Sequence, residues 1–315
     1  MTAHNLHGVR MWVTEGCNAS CHFCMNVKGR ANYSMEYRKY QSLCQYFKQN
    51  NFDKIAIMGG EPTIHPDFEK IMETAQTFFP SVYLFTNGLK IKVLKMFNPR
   101  DSDAIVYNFH FQNAFNRDTF MLNKPGKRVV DIVIDSKTDV NNTIYNAKRI
   151  ASISPNRINL QLVINNTCNI FKEKEQIIYN VNTIYSILAE NQDFQIKFEC
   201  NAPLCFTENE QLPPFVKNTF CSPRAVLIDG SYNVRFCNIF NTPLINMFQP
   251  YGMIPFSILE NYINKTYIKL RLTCLDKICK DCLFYGRQCN GKCHIGQDSI
   301  NREDISQSTN LPWLK

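Results

Sequence analysis

Short apolar runs alternate with amphipathic stretches through the first 200 residues of this 315-residue chain. Nearly continuous apolar runs are typical of parallel strands covered by helices, and apolar residues three or four apart indicate amphipathic helices. The runs predict six strands, at residues 9–13, 54–58, 82–85, 104–109, 158–164 and 194–199. Helices are clearest at residues 35–50, 67–78 and 172–191. This alternation predicts a parallel barrel or open barrel whose functional loops leave the carboxyl ends of the strands.

Two further segments do not fit this alternation. Residues 129–135 are strand-like, and we interpret them as an inserted strand or hairpin. From about residue 201, prolines and cysteines become frequent. An Asp229-Gly230 turn between the runs 225–229 and 234–237 predicts a β-hairpin. A helix is predicted to follow over residues 256–272. We therefore divide the chain into a barrel (1–200), a smaller cysteine-rich domain (201–300) and a C-terminal tail (301–315).

Composition and charge fit a globular protein with a sizeable core, since 44% of the residues are apolar. No apolar run approaches the roughly 18–20 residues of a membrane-spanning helix, and the N-terminus lacks the basic-then-apolar pattern of a signal peptide. The net charge of +8 is spread along the chain rather than clustered in a stripe. We therefore expect a cytoplasmic protein that binds neither a membrane nor nucleic acid.

The cysteines carry the first indication of chemistry. Fourteen are many for a chain without an export signal, and in a reducing compartment they indicate metal binding or catalysis. Cys17, Cys21 and Cys24 directly follow the first predicted strand, with Cys-x-x-x-Cys-x-x-Cys spacing. Three such thiolates can reach three irons of a 4Fe–4S cluster and leave the fourth open, whereas these clusters usually have four cysteine ligands. A zinc site or a chance match is the alternative.

Polar turns also follow the next two predicted strands. The second strand runs into Gly59-Gly60-Glu61-Pro62, and the third runs into Thr86-Asn87-Gly88. Glycines at a strand end let the backbone approach a ligand closely. Three polar turns at successive strand ends, the first carrying the cysteines, predict one binding site at that edge of the sheet.

With these motifs the first 200 residues resemble the radical S-adenosylmethionine (SAM) superfamily. The matching residues are Cys17, Cys21, Cys24, Gly59, Gly60, Glu61 and Pro62. The resemblance implies an α/β fold, a partial (β/α)6 TIM-like barrel with SAM at its open top and the three cysteines holding a 4Fe–4S cluster. It places Gly60 and Glu61, with Gly59 and Pro62 in the same turn, at the methionine amino group, Phe23 beside the adenine, and Thr86 and Asn87 close to SAM. Further candidates for ribose, carboxylate or adenine contacts are Asn108 or His110 after the fourth strand and Val163 or Asn165 at the fifth.

The resemblance also implies a reaction. A flavodoxin- or ferredoxin-type reductant would supply an electron, and SAM would be cleaved reductively to methionine and a 5′-deoxyadenosyl radical that abstracts hydrogen from a substrate C–H bond. The protein would bind the reactants, orient them and exclude water.

The later cysteines resemble the SPASM extension of radical SAM enzymes, and their core also fits the shorter twitch version. The matching residues are Cys221, Cys237, Cys279, Cys282, Cys289 and Cys293. The seventh cysteine of the SPASM pattern is absent after the last loop; either Cys274 substitutes for it or one iron is left open. The resemblance implies a small cysteine-rich C-terminal SPASM/twitch domain with one or two auxiliary 4Fe–4S clusters. In the SPASM arrangement Cys221, Cys237 and Cys293 serve one cluster and Cys279, Cys282 and Cys289 the other; in the twitch arrangement Cys221, Cys237, Cys279 and Cys282 hold a single cluster. A zinc ribbon is the alternative.

Resemblance to SPASM enzymes implies maturation of a ribosomally synthesised peptide by crosslinking or epimerisation. Cys200 and Cys205, at and beyond the end of the sixth predicted strand, are candidate hydrogen donors to a substrate radical, whereas Cys44 is predicted to be a core residue. Since the cluster motif begins at Cys17, we expect a separate leader-peptide-binding protein to present the peptide. Two alternatives are oxidation or epimerisation of a small sugar-like metabolite, and a non-enzymatic binding protein stabilised by zinc.

Overall fold

The computed structural model describes most of the barrel region and part of the chain beyond residue 200. The described residues are 6–21, 24, 33–109, 125–151, 157–162, 173–190, 195–198, 225–235 and 243–272. Among these residues, no helix is both long enough and apolar enough to cross a bilayer.

One ten-stranded sheet organises the described part of the chain. Its strands are β1 (Gly8–Thr14), β2 (Lys54–Gly59), β3 (Ser81–Thr86), β4 (Ala104–Phe109), β5 (Lys127–Ile134), β6 (Arg157–Leu162), β7 (Gln195–Phe198), β8 (Ala225–Ile228), β9 (Asn233–Arg235) and β10 (Ile245–Asn246). Their spatial order is β10-β9-β8-β1-β2-β3-β4-β5-β6-β7. All pairs from β8–β1 to β6–β7 are parallel, and the pairs that include β9 are antiparallel. Strands β11 (Phe248–Gln249) and β12 (Gly252–Met253) form a separate pair.

Helices follow most of the parallel strands. They are α1 (Tyr37–Gln49), α2 (Phe68–Phe78), α3 (Ile91–Leu94), α4 (Val140–Ala151), α5 (Lys174–Ala189) and α6 (Phe256–Leu272). The predicted α/β fold with a parallel sheet is confirmed. Each of the six predicted strands is present, with ends that differ by at most two residues.

The interpretation of residues 129–135 as an insertion is wrong. Residues 129–134 belong to β5, which lies between β4 and β6 and is parallel to both. The helix α4, which was not among the predicted helices, then connects β5 to β6. The run of strands in chain order therefore has seven members, β1 to β7, rather than six.

The main core lies between the sheet and its helices. Alternate residues of β1 (Val9, Met11 and Val13) are buried in it, as expected for side chains that point to opposite faces in turn. Helix α1 contributes Tyr40, Leu43, Cys44 and Phe47, whose spacing of three or four residues places them on one face of the helix. Cys44 is 0% exposed, so its predicted core position is confirmed.

Part of the region after residue 200 packs on the first β–α unit. The predicted hairpin is confirmed as β8 and β9, and β8 also pairs with β1 in the main sheet. The Tyr232 hydroxyl, in the hairpin turn, accepts a hydrogen bond from the Glu36 N–H just before α1 (2.9 Å). Phe256, at the start of α6, contacts the Phe52 ring edge-on, with the ring centroids 5.7 Å apart. The domain boundary at residue 200 stays a prediction, but the sheet itself continues across it.

Candidate active site

Three polar turns meet where β1, β2 and β3 end, an edge that we call the carboxyl edge. Because the three strands are adjacent and parallel, the segments that follow them leave the sheet side by side. These segments carry Cys17, the Gly59–Gly60 pair and Asn87 respectively. The prediction that these turns share one edge is confirmed.

The two glycines bring β2 against the loop that carries Cys17. The Gly60 N–H donates to the Thr14 carbonyl and the Glu61 N–H to the Gly16 carbonyl, both at 2.8 Å. A Cβ atom on Gly59 would lie 2.1 Å from the Thr14 carbonyl oxygen, and one on Gly60 would lie 2.0 Å from the Gly16 carbonyl oxygen. Gly59 also has a φ of +148°, which other residues rarely adopt. The close approach that the sequence predicted is therefore made, in this structure, to the protein's own backbone.

The Glu61 carboxylate joins the turns after β2 and β3. It is 1% exposed and accepts four hydrogen bonds. Its Oε1 accepts from the Thr63 N–H (3.1 Å), the Thr63 hydroxyl (2.6 Å) and the Thr86 hydroxyl (2.7 Å), and its Oε2 accepts from the Asn87 N–H (2.7 Å). Burial raises the pKa of Glu61, and the hydrogen bonds from Asn87, Thr63 and Thr86 act in the opposite direction.

Asn87 extends this connection to the cysteine loop. Its Nδ2 donates to the Asn18 Oδ1 (2.8 Å) and lies 3.9 Å from the Cys17 Sγ, while its Oδ1 accepts from the Leu89 N–H (3.0 Å). The end of β3 is thereby linked to the first two residues of the cysteine motif.

The base of the cysteine loop is closed by hydrogen bonds that were not predicted from the sequence. Ser34 forms an antiparallel bridge with Thr14, and the Ser34 hydroxyl donates to the Thr14 Oγ1 (3.0 Å). The Tyr33 carbonyl accepts from the Glu15 N–H (2.8 Å) and from the Thr14 hydroxyl (3.2 Å). Serine and threonine next to a loop are too common for this closure to be predicted from sequence.

The three cysteines of the motif carry thiols rather than disulfides and are all partly exposed. The Ala19 N–H donates to the Cys17 Sγ (3.4 Å), and the Cys24 N–H donates to the Cys21 carbonyl (3.1 Å). Within the described residues, no three or more His, Cys, Asp or Glu side chains are gathered so as to hold a single metal ion.

A known protein family matches the part of the chain that forms this edge. Residues 11–151, which span β1 to α4, match the family model described as the Radical SAM superfamily. Residues 11–151 carry a radical SAM domain. The resemblance expected from the cysteine and glycine motifs is thus confirmed, and the cofactors of this enzyme superfamily are SAM and a 4Fe–4S cluster.

Curated relatives match parts of this domain. The molybdenum cofactor biosynthesis protein moc-5 of Caenorhabditis elegans is 32% identical over 102 residues, which are 30% of this chain and 16% of that protein. The mycofactocin maturase MftC of Mycobacterium ulcerans is 29% identical over 80 residues, 25% of this chain and 22% of that protein. The chain thus covers less than a quarter of either relative.

Solved structures share the fold more extensively. Streptococcus suis SuiB bound to its precursor peptide SuiA has a TM-score of 0.64 at 13% identity, covering 91% of this chain and 71% of that one. Native anSMEcpe with bound AdoMet and the Cp18Cys peptide has a TM-score of 0.57 at 15% identity, covering 91% and 88%. At these identities the likeness shows the fold alone.

The residues of the radical SAM domain suit an iron–sulfur cluster. Thiolates are the usual protein ligands of such clusters. The Cys17, Cys21 and Cys24 thiols are partly exposed, and Cys17, at the carboxyl edge, already receives an N–H donor. Cys17, Cys21 and Cys24 would hold the cluster.

Of the SAM-contact residues expected from the resemblance, six lie at or near this edge, namely Gly59, Gly60, Glu61, Pro62, Thr86 and Asn87. Asn108 lies further along the sheet, exposed in β4 and opposite Asp131 in the register. Several expected site residues lie outside the described residues: Phe23, His110, Val163, Asn165, Cys200, Cys205, Cys221, Cys237, Cys274, Cys279, Cys282, Cys289 and Cys293.

The position of β5 corrects one of these expectations. Val163 and Asn165 follow β6, the sixth parallel strand, and not the fifth. The fifth strand instead contains Asp131, which is only 1% exposed and was missed because residues 129–135 were interpreted as an insertion. The sequence signal that could have identified Asp131 is its position as a single acidic residue between the apolar residues of this strand.

A buried charged group borders the cysteine loop on its other side. Glu15 packs against Gly230 in the β8–β9 turn, where a Cβ atom would lie 3.3 Å from the Glu15 Cγ. Burial raises the pKa of Glu15, the nearby Asp229 raises it further, and Arg235 lowers it. Asp229 and Arg235 form a salt bridge of 2.7 Å, and the Arg235 guanidinium lies 5.6 Å from the Trp12 ring centroid. Because β8 is distant in sequence, this contact could not be predicted from the motif.

Proposed function

We propose that this chain is a radical SAM enzyme that modifies a C–H bond of a ribosomally synthesised peptide, by crosslinking or epimerisation. One observation carries the proposal. The three thiols of Cys17, Cys21 and Cys24 lie on a loop that hydrogen bonds fasten to the carboxyl edge of a parallel sheet. When bound, the cluster supplies the electron for reductive cleavage of SAM to methionine and a 5′-deoxyadenosyl radical.

The described residues have distinct roles in this proposal. Cys17, Cys21 and Cys24 would bind the cluster, and the backbone of Gly60, which lies against the loop that carries Cys17, would meet the methionine end of SAM. The Glu61 side chain orders the turns, since its Oε1 accepts from Thr63 and Thr86 and its Oε2 accepts from Asn87.

Peptide modification is supported by the nature of several similar proteins. SuiB and anSMEcpe were each solved with a peptide bound, and both share the fold of this chain over 91% of its length. MftC is named as a maturase. We extend the proposal to one or two auxiliary 4Fe–4S clusters bound by the later cysteines, a flavodoxin- or ferredoxin-type reductant, and a separate leader-peptide-binding protein.

A small-molecule substrate is the second candidate. Two relatives, from Psychromonas ingrahamii and Haemophilus ducreyi, are named GTP 3′,8-cyclase and match about a quarter of this chain. Their name specifies a nucleotide substrate, which favours oxidation or epimerisation of a sugar-containing metabolite as the alternative.

The cluster is tested by removing its ligands. The triple variant C17A/C21A/C24A, purified anaerobically beside wild type, should lose about four irons per chain and all reductive formation of 5′-deoxyadenosine from SAM. The control C44A removes a thiol from the core rather than from the carboxyl edge and should keep both. Retention of that iron and of SAM cleavage by the triple variant would contradict the proposal, as would zinc without iron in wild type.

The substrate class is tested with the reduced wild-type enzyme. A short peptide encoded beside the gene should increase 5′-deoxyadenosine formation and change in mass, by two hydrogens for a crosslink. Epimerisation in deuterated water should add one deuterium, and C200A or C205A should abolish this if either thiol is the hydrogen donor. Stimulation by GTP or a sugar nucleotide and not by the peptide would favour the second candidate.

A further inference from the structure

Asn87 has a side chain that is fixed from three directions. Its Oδ1 accepts from the Leu89 N–H (3.0 Å), and its Nδ2 donates to the Asn18 Oδ1 (2.8 Å). Its backbone N–H donates to the buried Glu61 Oε2 (2.7 Å). The orientation of the amide is therefore set by residues of the turns after β2 and β3 together with the cysteine loop.

The fixed amide is directed at a sulfur atom. An amide nitrogen carries two hydrogens, and only one is needed for the bond to Asn18. The Nδ2 lies 3.9 Å from the Cys17 Sγ, within hydrogen-bond distance for a sulfur acceptor. The Ala19 N–H already donates to the same sulfur at 3.4 Å. Two N–H dipoles thus converge on the first thiol of the motif.

We propose that Asn87 is a positioning residue for the iron–sulfur cluster, which it stabilises and makes easier to reduce by donating a hydrogen bond to the Cys17 thiolate. This inference rests on the proposed function, because it requires the cluster. It gives Asn87 a role that differs from the SAM contact implied by the family resemblance.

The physical reason is electrostatic. Reduction adds an electron to the cluster, and part of the added charge lies on the cysteine sulfurs. An N–H dipole directed at a sulfur stabilises this charge, so it favours the reduced state; hydrogen bonds to the sulfurs are among the factors that set cluster potentials. The same bond holds the Cys17 side chain in place for the iron. Loss of an outer-shell partner typically weakens metal binding by about 10–100-fold.

The variant N87D tests this with little change in shape. It keeps an oxygen for the Leu89 N–H and the backbone bond to Glu61, but replaces the N–H donor by a carboxylate oxygen. We expect a more negative midpoint potential in an EPR-monitored titration of the full-length protein, and iron loss to a chelator that is about tenfold faster or more. N87A, which removes the donor without adding charge, should lie between N87D and wild type.

Leu89 offers a matched control for charge. It is 40% exposed, two residues away, and L89D adds the same charge without removing the donor. L89D should keep a potential and an iron-loss rate close to those of wild type. A shift in L89D equal to that in N87D would overturn the inference, as would wild-type values in both N87A and N87D. If circular dichroism shows that N87D is not folded, the comparison of N87A with wild type tests the inference instead.

The two proposals fail differently. Wild type that holds no iron at Cys17, Cys21 and Cys24 would refute the proposed function and this inference with it. If wild type holds the cluster and cleaves SAM, but the Asn87 variants keep its midpoint potential and iron-loss rate, the inference alone is refuted.

Discussion

A single buried carboxylate determines the geometry of the carboxyl edge at the scale of residues. Glu61 accepts from one hydroxyl and one N–H of Thr63, from the hydroxyl of Thr86 and from the N–H of Asn87. A carboxylate is the side chain suited to this, since both of its oxygens only accept. The family motif at Glu61 is thus explained in this chain by the donors around it.

We expect E61Q to weaken this edge. An amide has one acceptor oxygen and an NH2 group, so at least one of the surrounding donors would face another donor. The free energy of unfolding should fall by about 1–3 kcal/mol, measured by urea denaturation, and iron should be lost faster. E73Q, on the exposed face of α2, is the control and should change neither. Equal stability of E61Q and wild type would show that the four bonds are not required.

Gly60 should tolerate no side chain. In G60A the new Cβ would have to separate from the Gly16 carbonyl oxygen, which lies 2.0 Å from its ideal position. Either β2 or the cysteine loop must then shift, at a cost on the order of 3 kcal/mol, and cluster assembly should fail. In G8A the nearest atoms would be 3.7 Å away, so this variant should behave as wild type in iron content and thermal unfolding. Normal iron content in G60A would contradict the tight contact.

At the scale of elements, a histidine joins the turn after β2 to the start of α1. His65 follows the short 3₁₀ helix Pro62–Ile64 and is buried. Its Nδ1 accepts from the Asp67 N–H (3.0 Å), so its Nε2 carries the hydrogen and donates to the Met35 carbonyl (3.1 Å). The bond from the Asp67 N–H needs the neutral ring, whereas the bond to the Met35 carbonyl does not, and burial lowers the pKa of His65 from 6.5.

The stability that His65 provides should therefore depend on pH. Because the folded-state pKa is lowered, the contribution is present above the unfolded value of 6.5 and is lost as the pH falls below it. Wild type should exceed H65Q in free energy of unfolding at pH 7.5, and the difference should shrink at pH 5.5. Urea denaturation of both proteins at the two pH values measures this. A difference that stays constant or grows toward low pH would show that the ring is not held neutral.

At the scale of the whole molecule, residues after 200 extend the sheet beyond β1. Val226, Leu227 and Ile228 of β8 are almost fully buried beside β1, and the β8–β9 turn packs on Glu15, two residues before the cysteine motif. Residues 225–235, which lie between Cys221 and Cys237 in the sequence, are thus attached to the strand that leads into the first cluster motif.

A chain ending at residue 200 should therefore not fold properly, although the sequence predicts a barrel domain with that boundary. It would leave the edge of β1 unpaired and lose the apolar contacts of β8. We expect aggregation, or unfolding without a cooperative transition, in size-exclusion chromatography and thermal circular dichroism, against cooperative unfolding of the full-length chain. A monomeric, cooperatively folded fragment 1–200 would support the predicted boundary.

The sequence by itself determined the features that depend on neighbours along the chain. Apolar periodicity located the strands and helices because each element buries one face or both. The cysteine spacing and the Gly59-Gly60-Glu61 turn identified the family, since both motifs are contiguous.

Only the tertiary structure decided the features that join distant segments. It placed β5 and Asp131 within the sheet, brought β8 beside β1, and set Glu15 against Gly230. It also directed the Asn87 amide at the Cys17 sulfur across 70 positions of sequence. Strand order and side-chain contacts of this kind depend on which elements bury each other's surfaces, and this pairing leaves no local signal in the residues involved.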